Sequence, residues 1–200
     1  MNILTIDTAD KDAMIILQQE NELIDYRSLE NNKHAETLIT DIEDILLRNR
    51  LDYKTLDAIS IVNGPGSFMG LKISTSVAKA ILCLIPDIKV IINNVFEIVS
   101  YNKKYDFVVL DAGLDGFYIS DGSSNYYYTK TDTFCPDKNN LILTNSLKVV
   151  DILKEYNVGY SLPKKDSIVS LNYLKYSNNI LANREIAPLY IREPQINKKT

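Results

Sequence analysis

The sequence predicts an α/β protein of two tandem lobes, each beginning with strands. Three observations carry that prediction. Short apolar segments separated by polar turns open the chain, strand–helix alternation follows them, and a second strand-rich stretch begins near residue 103. Asn2–Asp7 (NILTID), Ala13–Gln18 (AMIILQ) and Leu23–Leu29 have the spacing of a three-stranded meander, with turns at Ala9–Asp12 and Gln19–Glu22. In Lys33–Asn49, Ala35, Leu38, Ile39, Ile42, Ile45 and Leu46 recur at helical spacing, with Glu36, Asp41, Glu43 and Asp44 interleaved. Ala58–Val62 reads as the next strand and Phe68–Leu84 as the next helix, stopped near Pro86. Lys89–Ile92 is a short strand. Asn94 then has the features of an N-cap for a helix to Tyr101, with Glu97 three residues on.

The second half is more polar. Phe107–Asp111, Phe117–Ser120 and Asn125–Thr131 read as strands, with glycines at 113, 116 and 122 in the connections. Leu141–Asn145 is a further strand, Ser146–Tyr156 a helix, and Ile168–Leu181 a final helical pattern before the tail Ala187–Gln195. These elements divide the chain into an N-terminal lobe, 1–102, and a smaller lobe, 103–181, with the tail 182–200 packing back on the first. No sequence repeat of 20–50 residues stands out, although both lobes share the strands-first order.

Composition narrows the functional classes. Two hundred residues with 46% hydrophobic and 24% charged content suit an ordinary globular chain with room for a core in each lobe. A net charge of −4 and a pI near 5.1 provide no basic field, which disfavours autonomous nucleic-acid binding. No run of about 18 apolar residues suggests a membrane span, and the N-terminus enters a strand without a leader pattern. Cys83 and Cys135 lie far apart, and Cys83 falls within an apolar helical pattern. They read as reduced core thiols of a cytosolic protein.

The most informative stretch is Ala58–Ser74, AISIVNGPGSFMGLKIS. Three of the chain's seven glycines fall between positions 64 and 70. Gly64, Pro65 and Gly66 form a turn between a strand and a helix, Ser67 stands at the N-cap position, and Gly70 lies in the first helical turn. The spacing G-x-G-x-x-x-G is neither the dinucleotide fingerprint nor the P-loop, and it misses the G-x-S-x-G elbow. Two readings stay open, a tight structural connection or an anion cradle at a helix N-terminus.

Asn2–Thr8 (NILTIDT), His34–Leu38 (HAETL), Asp57–Ser74, Asp111–Tyr118 (DAGLDGFY) and Pro188–Arg192 (PLYIR) occur in the order found in the TsaB (YeaZ) family, and the chain resembles that family along essentially its whole length. The sequence departs from the family pattern at Met69, usually threonine, and at Lys72, usually arginine. Gly113 and Gly116 replace the usual arginine and glutamate of the second-lobe motif. The resemblance implies the two-lobed actin-like ATPase superfold (acetate and sugar kinase, Hsp70, actin) with a reduced second lobe. It further implies membership of the machinery that makes N6-threonylcarbamoyladenosine at position 37 of tRNA.

In that superfold a nucleotide is held by acidic residues through a metal ion, by glycine loops and by a Gly-Gly-type adenosine loop. Asp7 and Asp111 could supply carboxylates, or they could be strand-end aspartates that start turns. No Gly-Gly dipeptide occurs anywhere in the chain. The catalytic relative TsaD carries an H-x-x-x-H helix pair for its metal, since i and i+4 imidazoles share one helix face. Here the second position is Leu38, and His34 is the only histidine. A zinc peptidase of this design is therefore excluded, and His34 reads as a first-turn residue contacting a partner or backbone. Ser67 has no base placed beside it.

The expectation is a non-catalytic scaffold subunit with no cofactor and no metal. By resemblance it docks on TsaD through His34, Leu38, Asp41, Ile45 and Leu47 of the first helix and Ser74 of the second. TsaE binds across that junction, tRNA is met only through the complex, and a homodimer is the alternative use of the same face. Ile45 and Leu47 lie about 200° apart around the helix, so at most one faces the sheet squarely. The competing expectation is an autonomous small-molecule kinase or ATPase using Asp7 and the Gly64–Gly70 turn.

Overall fold

In the computed structural model the described residues are 1–29, 34–113, 116–123, 126–161, 164–182 and 185–191. They form two compact units. The first comprises Met1–Tyr101 and Pro163–Leu189. The second comprises Asn102–Leu162, joined by Tyr190 and Ile191 of the described C-terminal residues.

The first unit is a five-stranded sheet of order β3-β2-β1-β4-β5. Strands β1 (Asn2–Asp7), β2 (Met14–Gln19) and β3 (Glu22–Ser28) form the antiparallel meander, and β4 (Ala58–Val62) and β5 (Lys89–Asn93) add in parallel beside β1. Side chains alternate across a sheet, so the register divides the residues between two faces. Leu4, Ile6, Ile15, Leu17, Ile59 and Ile61 face α1 (His34–Arg48) and α2 (Phe68–Leu84), which bury Leu38, Ile42, Ile45, Leu46, Ala78 and Ile81 against them. Each such leucine or isoleucine side chain contributes about 1.5–3 kcal/mol on burial. Short α3 (Val95–Ser100) starts at Asn94 and Glu97, which cap each other's backbone reciprocally.

The second unit repeats the topology. Strands β6 (Phe107–Asp111), β7 (Gly116–Ser120) and β8 (Tyr126–Lys130) form a meander, and β9 (Leu141–Thr144) and β10 (Asn157–Tyr160) add in parallel, in order β10-β9-β6-β7-β8. Helix α4 (Leu147–Ile152) and a 3-10 turn at Thr131–Thr133 lie between the strands in sequence. Val109, Phe117, Ile119, Phe134, Ile142, Val149 and Leu153 form the core, in which Phe134 meets Phe107 and Phe117 edge-on at 5.6 and 6.1 Å. The matched strand order is the architecture that the strands-first reading of both halves anticipates.

Three expectations change. The Ser146–Tyr156 helix is shorter, ending at Ile152, and the chain then forms the unexpected strand β10. The last helix, α5 (Lys164–Ser177), belongs to the first unit, against the division that placed 103–181 together. A buried amide causes this: Asn172 donates to Thr5 Oγ1 and Gln18 Oε1, each at 2.8 Å, and accepts from Ser60 Oγ and Asn93 Nδ2, each at 2.7 Å. Four strands of the first sheet thus meet one α5 side chain, on the face opposite α1 and α2. Finally, Cys83 and Cys135 are both exposed and are not core thiols. Cys83 lies two residues past buried Ile81, which turns it about 200° from the inward face of α2.

Candidate functional site

The glycine turn leads from β4 into α2. Gly64 has φ +117°, a left-handed conformation that glycine tolerates, and its carbonyl accepts the Val95 N–H at 2.8 Å at the start of α3. Gly66 and Gly70 serve close approach instead. A Cβ at Gly66 would run into the carbonyl of Ala9, and one at Gly70 into the carbonyl of Thr8. Ser67 N–H donates to Ala9 O at 2.6 Å, Thr8 Oγ1 donates to Gly70 O at 2.7 Å, and Gly70 N–H donates to the N-cap Ser67 Oγ at 3.2 Å. The loop after β1 therefore lies directly on the N-terminus of α2. The backbone of Thr8 and Ala9 takes the space that side chains at Gly70 and Gly66 would need. Of the two readings left open for this turn, the geometry builds the tight connection.

Asp7, at the end of β1, is fully buried. Its Oδ1 accepts the Ala9 N–H at 3.1 Å, and its Oδ2 faces Lys164 Nζ at 2.6 Å. The same ammonium reaches Asp10 Oδ2 at 3.1 Å, and the Lys164 side chain is 11% exposed. Burial raises the Asp7 carboxyl above its ordinary pKa, with the attraction of Lys164 pulling it back. For Lys164, burial alone would lower the pKa, but Asp7 and Asp10 outweigh it and hold the ammonium well above its ordinary value. A buried carboxylate at a strand end here faces a lysine that sequence reasoning missed. Lys164 precedes the apolar pattern from which the last helix was read, so no periodic signal marks it.

Asp111, at the end of β6, accepts the Gly113 N–H at 3.0 Å and pairs with Lys148 of α4 at 3.0 Å. Gly113 has φ +72°, and Gly116 lacks a side chain where the Tyr128 ring lies across it. Gly113 and Gly116 thus serve a tight turn and an aromatic contact.

The helix pair α1–α2 presents the other candidate surface. Of the residues expected to bind a partner, Leu38 and Ile45 are buried in the core of the first unit. Asp41 is buried and pairs with Arg27 of β3 at 3.0 Å. Ser74 is buried, its hydroxyl within 3.2 Å of Leu71 O. Leu38, Ile45 and Ser74 face inward because they occupy the helical stripe that seals the sheet, so they are corrected from surface to core. Leu47 is 76% exposed. The side chain of His34 and all of Arg192 lie outside the described residues. The outer face of α1 carries Ile39, Glu43 and Leu47, and that of α2 carries Met69, Lys72, Lys79, Cys83 and Leu84, with Met69 63% and Leu84 73% exposed. No helix among the described residues is long and apolar enough to cross a membrane.

The family model described as TsaD, tRNA N6-adenosine threonylcarbamoyltransferase, matches residues 28–168, well over half of the chain. The tRNA threonylcarbamoyladenosine biosynthesis protein TsaB of Haemophilus influenzae is 25% identical over 81 residues, which cover 40% of this chain and 34% of that protein. TsaB of Escherichia coli is 27% identical over 81 residues, 40% of this chain and 35% of that protein. The matched segments span about a third of the length of these curated relatives. YeaZ from Pseudomonas aeruginosa superposes with a TM-score of 0.72 at 17% identity, covering 94% of this chain and 99% of that one. A second Pseudomonas aeruginosa structure, described as similar to peptidase YEAZ, gives 0.74 at 18% identity, with 96% and 99% covered. At these identities the superpositions establish the fold.

Proposed function

Because the chain belongs to the TsaB (YeaZ) family, within the range of the TsaD family model, we propose that it is a non-catalytic scaffold subunit of the tRNA threonylcarbamoyladenosine machinery. Its partner is a TsaD homologue, and an ATPase of the TsaE type binds across their junction. The outer face of α1 and α2 is the docking surface, and a second copy of the chain can use it when the partner is absent. Contact with tRNA comes through the complex, in the cytoplasm, which suits a pI near 5.1. The second lobe is a reduced form of the first, a reading supported by the Thr131–Thr133 turn where the first unit has 15-residue α1.

One observation carries this proposal. Leu47, Met69 and Leu84 project from helices whose inward faces already seal the core, so their exposure serves nothing within the unit. The docking set is accordingly Ile39, Glu43 and Leu47 with Met69, Lys72 and Leu84, replacing the buried Leu38, Asp41, Ile45 and Ser74. A small-molecule kinase working through Asp7 and the Gly64–Gly70 turn is disfavoured by the pairing of Asp7 with Lys164 and by the packing of Ala9 on Gly66.

Leu47→Arg tests the reading. The expected protein keeps its wild-type melting temperature, fails to co-purify with the TsaD homologue of the same cell, and leaves tRNA without the modified nucleoside. Nucleoside mass spectrometry showing normal modification in cells that carry Leu47→Arg and Met69→Arg together would overturn it. Partner binding retained alongside loss of self-association would identify the face as a homodimer contact instead.

A further inference from the structure

We propose that the Lys164 ammonium is a tethered cation standing in the place of a divalent metal ion at the end of β1, closing Asp7 to metal-bound phosphates. The geometry begins with which carboxylate oxygens are already used. Asp7 Oδ1 is occupied by the Ala9 N–H and Asp10 Oδ1 by the Asp12 N–H, at 3.1 and 2.9 Å. The Oδ2 atoms of both aspartates converge on one point, and Lys164 Nζ occupies it. Two hard oxygens meeting at a buried position are what Mg²⁺ or Mn²⁺ selects, with water completing the shell. Two carboxylates and one ammonium leave the cluster with a net negative charge, so the lysine compensates the site only in part.

Lys164 is also held in place by the helix it begins. The Asn172 network fixes α5 to four strands of the same sheet, and Lys175 Nζ reaches Ile92 O at 2.7 Å and Glu97 Oε2 at 2.9 Å. The anchored helix therefore keeps the backbone of Lys164 beside the end of β1, with its ammonium in reach of both carboxylates. A metal ion in solution competes with a cation whose local concentration is set by the fold. Among the described residues no group of three or more histidine, cysteine, aspartate or glutamate side chains could hold a metal ion, so an ion at this position would rest on the two Oδ2 atoms and water.

The test uses the whole chain and Mn²⁺ alone, with thermal melting in EDTA or MnCl2 and the electron paramagnetic resonance signal of free Mn²⁺. The wild type is expected to melt identically in both media and to bind no Mn²⁺. Lys164→Gln is expected to melt at a lower temperature in EDTA, to regain several degrees in millimolar MnCl2, and to deplete free Mn²⁺ stoichiometrically. Asp7→Asn/Lys164→Gln should show neither response. If Lys164→Gln is unfolded in EDTA, recovery of folded protein in MnCl2 supports the proposal and failure to recover overturns it. A folded Lys164→Gln indifferent to Mn²⁺ overturns it, as does a wild type that binds Mn²⁺ and loses it in Asp7→Asn. The inference deepens the non-catalytic reading, but it is measured without a partner, so it can fail while Leu47→Arg still abolishes docking, or the reverse.

Discussion

A single methyl group at Gly66 would have to displace the Ala9 carbonyl, which is part of the main chain and cannot rotate aside. Gly66→Ala should therefore destabilise the first unit by about 1–3 kcal/mol in urea denaturation, the cost of overpacking. Gly64 fails for a different reason, since its φ of +117° and the nearby Leu71 methyl both oppose a side chain. The sequence marked both positions as glycine turns, but it could not say which needed the conformation and which needed the space. Lys164 makes the same point about charge. Removing it leaves buried Asp7 without its counter-charge, so Lys164→Met should cost about 3–5 kcal/mol, and Asp7→Asn/Lys164→Met should recover much of that loss. The lysine pKa is raised on folding, so its stabilising contribution is complete below the ordinary 10.5 and declines as pH rises through the raised value. The stability difference between wild type and Lys164→Met, followed by denaturation at successive pH values, should shrink in strong alkali as Lys164 loses its proton, and in acid as the unpaired Asp7 of the variant gains one.

At the scale of the element, α1 shows how far periodicity reaches. Its apolar residues outnumber those needed for one inward stripe, and the 200° between Ile45 and Leu47 required that they part company. The structure places Ile45 in the core and Leu47 in solvent. Ile45→Arg should accordingly abolish the cooperative unfolding transition. Leu47→Arg should shift stability by no more than about 0.5 kcal/mol, as surface substitutions do. Helix α2 has the bounds its sequence predicts, because Ser67 caps it and Pro86 follows it. Strand β10 was not legible. Its four residues, NVGY, are too few to show alternation, and they become a strand by pairing in parallel with β9. Gly159 lies there against a Leu143 methyl, 2.9 Å from where its Cβ would stand, a contact that only the pairing creates.

For the whole molecule, Asn172 decides to which unit α5 belongs. Replacing it with leucine would leave polar groups of Thr5, Gln18, Ser60 and Asn93 without that partner in a buried layer. Asn172→Leu should lower stability by at least about 3 kcal/mol, with hydrogen exchange showing the largest loss of protection in α5. The sequence by itself determined the meanders, the strand–helix alternation, the capped starts of α2 and α3 and the glycine turn. Each of these follows from residues a few positions apart, whose propensities, caps and periodicities act within one element. Tertiary structure alone decided that Lys164 pairs with Asp7, that Asn172 joins four strands, and that Leu38, Ile45 and Ser74 face inward while Leu47 faces out. Those outcomes depend on groups 79 to 167 residues apart, or on which helical stripe the sheet covers. Burial makes an unsatisfied polar or charged group costly, and that cost, absent from the isolated chain, selects the partner.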